Sequence, residues 1–140
     1  MPKFSPPKAK AHTVRTSLRI PKKMLTQIEV EMKASRYNLK QRNLWVNEAI
    51  LNLLSRIDYA ALIAEEFMEA GSTTPIPVTL NDSINAKINV SLKHVEVEEG
   101  IVKDRSALLR TAIIQRLLTA SGLQLSDKSM LRLKEAKDTD

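Results

Sequence analysis

Arg15 and Arg19 stand four residues apart in Thr13-Val14-Arg15-Thr16-Ser17-Leu18-Arg19-Ile20, with Ser17 midway between them and Val14, Leu18 and Ile20 at the alternate positions. A guanidinium presents a planar fork of donors that matches a phosphate or the O6 and N7 edge of guanine. The chemistry such a face offers is recognition of a polyanion rather than bond making. Charge along the chain points the same way. Residues 1–42 hold eleven Lys and Arg against Glu29 and Glu31, whereas residues 43–72 hold Arg56 against Glu48, Asp58, Glu65, Glu66 and Glu69. The rest carries ten basic and nine acidic residues, so the formal net charge of +6 is concentrated in the first third. That polarity suits nucleic acid, because each phosphate neutralised by Lys or Arg releases condensed counterions.

Catalytic chemistry finds little support. With no cysteine in the chain, disulfides, zinc-thiolate sites and thiol nucleophiles are excluded. His12 and His94 are isolated and have no partners at metal-ligand spacing. Glu96, Glu98 and Glu99 read as a solvated helix surface, and Trp45 reads as core. No phosphate loop, nucleophile elbow or glycine-rich nucleotide fingerprint occurs, and three glycines in 140 residues leave little for a loop-built active site. The expectation is a protein that is not an enzyme, with no catalytic residue, cofactor, metal or small-molecule substrate. No apolar run resembles a signal peptide or reaches the length of a membrane span, so a soluble cytoplasmic protein is expected.

The elements that must position the two arginines follow from periodicity. Residues 1–12 combine three prolines and three lysines with almost nothing to bury, which predicts a disordered basic arm. The alternation over 13–20 predicts a strand with one apolar and one polar face. Pro21 ends it and can open a helix, whose Met24, Ile28 and Met32 recur every four residues up to about Ser35. After a connector over 36–42, Asn43 is a plausible N-cap for a second helix with the stripe Val46, Ile50, Leu53, Ile57, Ala61, Ala64 and Met68, running as far as Ala70. A linker at 71–75 precedes a short strand over 76–80. Asn81 or Asp82 then caps a helix with Ile84, Ile88 and Leu92. A second connector over 99–105 leads to a last helix, capped by Ser106 and closed by Ser121-Gly122. The charged tail over 123–140 includes Leu123, Leu125, Met130, Leu131 and Leu133.

The chain therefore reads strand-helix-helix twice, and the residues repeat with the elements. At an offset of 60, Leu18 matches Val78, Ile20 matches Leu80, Met24 matches Ile84, Ile28 matches Ile88, Val30 matches Val90 and Met32 matches Leu92. Past the connector the offset becomes 63. Arg42-Asn43-Leu44-Trp45-Val46-Asn47-Glu48-Ala49-Ile50 then lies against Arg105-Ser106-Ala107-Leu108-Leu109-Arg110-Thr111-Ala112-Ile113. Agreement at so many positions is hard to produce by accident.

Each half resembles the ribbon-helix-helix superfamily, the Arc and MetJ type, whose second helix opens with a pattern like Ser-Arg-Ser-x-Leu-Ile-x-x-Ala-Ile. Residues 103–113 follow that pattern closely and residues 41–46 loosely. The likeness covers 13–57 and 75–120, giving a first unit over 13–70 and a second over 76–122. Two such units in one chain resemble the TraY type of conjugative relaxosome protein. Two departures stand out: Pro75 and Pro77 lie in the second strand, and the helix from Asn43 outruns the usual length.

The resemblance implies a mainly α fold with a two-stranded antiparallel β-ribbon, the two units of the chain forming a pseudo-dimer. It also implies that the ribbon enters the major groove of double-stranded DNA, with Arg15, Ser17 and Arg19 of the first strand and Thr79 of the second facing outward. Prolines two apart lose donors on one edge only, which in a two-stranded ribbon can be the unpaired one. The N-termini of the second helices, with Arg42, Asn43, Arg105 and Ser106, are expected to hold phosphates. The implied role is a transcriptional repressor or an accessory factor in conjugation or partition, associated with nucleoid or plasmid and self-associating on DNA. The competing class is a helical interaction module, an antitoxin or scaffold using a long 43–70 helix.

Overall fold

The computed structural model describes residues 12–68 and 71–121. The expected tail over 123–140 lies outside the described residues, as does the expected arm except for His12. The elements are β1 (Thr13–Pro21), α1 (Lys22–Ala34), a single 3₁₀ turn (Leu39–Gln41), α2 (Arg42–Leu54), α3 (Tyr59–Ala64), β2 (Thr73–Asn81), α4 (Asp82–Glu99) and α5 (Arg105–Ala120). The chain is mainly helical, with one two-stranded antiparallel sheet made by β1 and β2.

Alternation in the sequence becomes two faces of that ribbon. Leu18 and Ile20 of β1 and Ile76, Val78 and Leu80 of β2 are buried on the inner face, while Arg15, Ser17, Arg19, Pro75 and Pro77 are exposed on the outer one. Because side chains alternate with period two, a slip of one residue would turn every apolar residue of one strand outward. The register pairs Ser17 with Pro77 at the centre, and these are the residues related by the 60-residue offset. The ladder ends obey the same relation: Lys22 N–H donates to the Ser72 carbonyl at 3.4 Å, and Asp82 N–H donates to the His12 carbonyl at 3.0 Å. Two segments with one pattern pair about their common midpoint because both apolar sets then share one face.

Beneath the ribbon the helices supply the rest of a single core. Ile28 and Met32 come from α1, Trp45, Val46, Ala49, Ile50 and Leu53 from α2, Ile84, Ile88 and Val95 from α4, and Leu108, Leu109, Ala112 and Ile113 from α5. The broadest helix-to-helix packing is between α2 and α5, the equivalent helices of the two repeats. The change of offset from 60 to 63 is explained by α4, which is five residues longer than α1 and is followed by a connector two residues shorter. Gly100 closes α4 in the left-handed conformation, φ 70°, which a residue without Cβ adopts freely.

Three sequence-based expectations need correction. The second helix does not run to Ala70: α2 stops at Leu54, Ile57 is wholly exposed, and α3 buries Ala60, Leu62 and Ile63 while packing on α4. A straight helix over 43–70 would extend about 40 Å, past the edge of so small a core, and the fold-back brings Leu62 and Ile63 under cover instead. At the bend Arg56 Nε meets Asp58 Oδ1 at 2.9 Å, and this hydrogen bond holds the Asp58 carboxyl below the usual carboxylate value. Secondly, 71–75 is not a linker throughout, since β2 begins at Thr73, where Pro21, Ile20 and Arg19 offer pairing partners to Thr73, Thr74 and Pro75. Thirdly, neither Asn43 nor Ser106 is a helix cap; the observed caps are Gln41 and Asp104.

Candidate nucleic-acid interface

The outer face of the ribbon carries the cross-strand pairs Arg15 with Thr79, Ser17 with Pro77 and Arg19 with Pro75, flanked by Thr13 with Asn81 and Pro21 with Thr73. At roughly 3.3 Å per residue, the Cα atoms of Arg15 and Arg19 are about 13 Å apart. They lie on opposite sides of the central Ser17 and Pro77 pair, both on β1. Arg19 Nε donates to Thr73 Oγ1 at 3.0 Å, a diagonal bond across the strands that orients the guanidinium. Thr73 carried no signal in the sequence, where it belonged to the supposed linker.

Backbone groups of Thr79 and Asn81 face α2 rather than β1. Thr79 N–H donates to Asn43 Oδ1 at 3.0 Å, the Thr79 carbonyl accepts from Asn47 Nδ2 at 2.9 Å, and Asn81 N–H donates to Asn47 Oδ1 at 3.2 Å. Two amide side chains of α2 thus act as partners for the free edge of β2. Pro75 and Pro77 share the parity of Thr79 and Asn81, so their nitrogens lie on this same free edge, and the ribbon loses no ladder donor. Asn43, expected at the helix N-terminus as a cap and phosphate ligand, is bound instead to the ribbon. Asn47, which the sequence reading missed, is buried and occupies the position that the repeat gives to Arg110.

The two second helices begin differently. Before α2, Asn38 caps the 3₁₀ turn by accepting from Lys40 N–H at 2.9 Å, and Gln41 Oε1 accepts from Asn38 N–H at 3.0 Å. No acidic residue sits there, and Arg42 is the first residue of α2, half-buried. Before α5, the Asp104 carboxylate accepts from Ala107 N–H at 2.9 Å, so a carboxylate already supplies the negative charge that the helix dipole favours. Arg105 and Ser106 follow it, both half-buried.

Neighbouring cations are engaged by the protein itself. Arg110 Nε meets Glu66 Oε2 at 2.7 Å, with side chains only 12% and 4% exposed, and Lys103 Nζ donates to the Glu66 carbonyl. The residues just after α3 therefore cover the first turns of α5. Arg116 lies over the rings of Trp45 and Tyr37, at 4.7 and 5.3 Å from their centroids, and donates to the Trp45 carbonyl and to Glu48. This ties α5 to α2 and its preceding connector. His94 is bonded to the Tyr59 hydroxyl at 2.6 Å. Among the described residues no group of three or more His, Asp or Glu stands close enough to hold a metal ion, and no helix is long and apolar enough to cross a membrane.

No family model, curated protein or solved structure matches the chain.

Proposed function

We propose that the chain binds double-stranded DNA sequence-specifically as a ribbon-helix-helix protein whose two units share one polypeptide and pair as a pseudo-dimer. The observation that carries this reading is the outer face of the ribbon. Two arginines and a serine stand exposed on a strand whose alternate residues Val14, Thr16, Leu18 and Ile20 are half-buried or buried, and nothing in the core requires them there. The major groove, about 12 Å wide, admits a two-stranded ribbon, and arginine is the residue best suited to read guanine within it. The centring of the ribbon on repeat-equivalent residues, and the packing of α2 on α5, support the pairing of two units within one chain.

Phosphate contact belongs chiefly to the N-terminus of α2, with Arg42 beside it; at α5 the Asp104 carboxylate competes for the same position. Base reading then falls to the ribbon and positioning to the helix end. A transcriptional repressor and an accessory factor at a transfer or partition site both need such a reader. The rival reading, an antitoxin or scaffold presenting a continuous 43–70 helix, loses its main feature because α2 ends at Leu54.

The test is the double variant Arg15→Ala, Arg19→Ala on a duplex selected by the wild-type chain. Each good base contact is worth about 1–3 kcal/mol, so specific affinity should fall by one to several orders of magnitude while the thermal midpoint is kept. Unchanged affinity and unchanged sequence preference would overturn the proposal.

A further inference from the structure

The two halves of the ribbon's outer face are not equivalent, and they differ both in their residues and in one side-chain bond. Under the 60-residue repeat, Arg15 corresponds to Pro75 and Arg19 to Thr79, so both arginines belong to β1 and one lies on each side of the ribbon's centre. Arg19 is held by Thr73, which accepts its Nε–H at 3.0 Å. Such a bond leaves the two terminal nitrogens of the guanidinium as the remaining bidentate edge and fixes the plane in which they lie. The repeat counterpart of Thr73 is Thr13, and the residue diagonal to it on β2 is Thr79, which has no guanidinium to hold. No bond of this kind is made by Arg15 among the described residues.

Resting on the DNA-reading proposal above, we infer that Thr73 is a positioning residue that makes Arg19 the dominant base reader of this ribbon. An arginine already oriented loses less rotamer freedom on binding than one that swings in solvent. Arg19 therefore specifies one G·C pair tightly. Arg15, about 13 Å away along the strand, specifies a second pair loosely, about three to four base pairs away at 3.4 Å per base pair. Pro75 and Pro77 present shape without donors to the bases beside them. The recognised site is consequently non-palindromic, although the ribbon backbone is close to twofold.

The experiment is selection from a randomised duplex library with the full chain, followed by competition between singly substituted duplexes for the wild type and for Arg15→Ala, Arg19→Ala, Thr73→Val and Thr73→Ser. The steepest G·C position should vanish in Arg19→Ala, and a shallower one in Arg15→Ala. In Thr73→Val, which keeps the shape and strand preference of threonine, discrimination at the Arg19 position should fall about fivefold to tenfold. Discrimination at the Arg15 position and binding to unrelated duplex should stay as in the wild type, and Thr73→Ser should restore the loss. If Thr73→Val discriminates like the wild type, or weakens on all duplexes equally, the positioning role is overturned while DNA reading stands. If the wild type binds no duplex, or enriches no motif, the proposed function falls and this inference falls with it.

Discussion

At Asn47 a single buried amide meets three backbone groups: it donates to the carbonyls of Asn43 and Thr79 and accepts from Asn81 N–H. Two of the three belong to the free edge of β2, which would otherwise have to find water beneath a helix. Replacing Asn47 by Ala removes the partners and leaves half-covered polar groups behind, each costing about 1–3 kcal/mol. The expected destabilisation is about 2–3 kcal/mol, read as a lower urea midpoint with an unchanged slope. A loss below about 0.5 kcal/mol would mean that solvent serves this edge and that the amides are ornamental. Nothing in the sequence marked Asn47, because its partners on β2 lie 32 and 34 residues away. A separation of 44 residues likewise hid the ion pair of Arg110 with Glu66, whose acid is buried.

Among the elements, the division of the expected long helix into α2 and α3 is the largest departure from the sequence reading, and the bend has a titratable latch. Asp58 has its carboxyl lowered by the hydrogen bond from Arg56. A depressed carboxyl contributes stability that is fully present above its unfolded value of 3.8 and is lost as pH falls through the lower folded value. Asp58→Asn should therefore flatten the pH dependence of stability below about pH 4. Near neutral pH it should cost less than about 1 kcal/mol, since the pair is partly exposed. Thermal melts of both proteins between pH 2.5 and 7 check this, and parallel curves across the range would remove the latch. The strands, by contrast, were legible in kind and approximately in place, because period-two burial is a local property. Their ends were not, because Thr73 and Thr74 become strand only when Pro21 and Ile20 are there to pair with them.

For the molecule as a whole, β1 pairs with β2 of the same chain, and the proposed pseudo-dimer needs no second copy to close the fold. A unit of about half this chain seldom stands alone, and the helices of both halves of the chain contribute to one buried cluster. Unfolding should accordingly be unimolecular: the thermal midpoint should stay within about 1 °C over a hundredfold range of protein concentration. A midpoint that rises steadily with concentration, with a mass of two chains in solution, would mean that the strands pair between copies instead.

The sequence by itself determined the alternation that makes a two-faced strand, the order strand, helix, helix that opens each half, the apolar stripes of those helices as far as Leu53 in α2, and the position of Trp45 in the core. All of these are periodicities or matches that a chain carries without knowing its neighbours. Only the tertiary structure decided which edge of β2 was free, that Asn43 and Asn47 would serve it, that α2 would stop and fold back, and that Thr73 would hold Arg19. Each of these depends on groups brought together from distant positions, and a hydrogen bond of 3 Å is set by the packing of two elements, not by the residue types within either one.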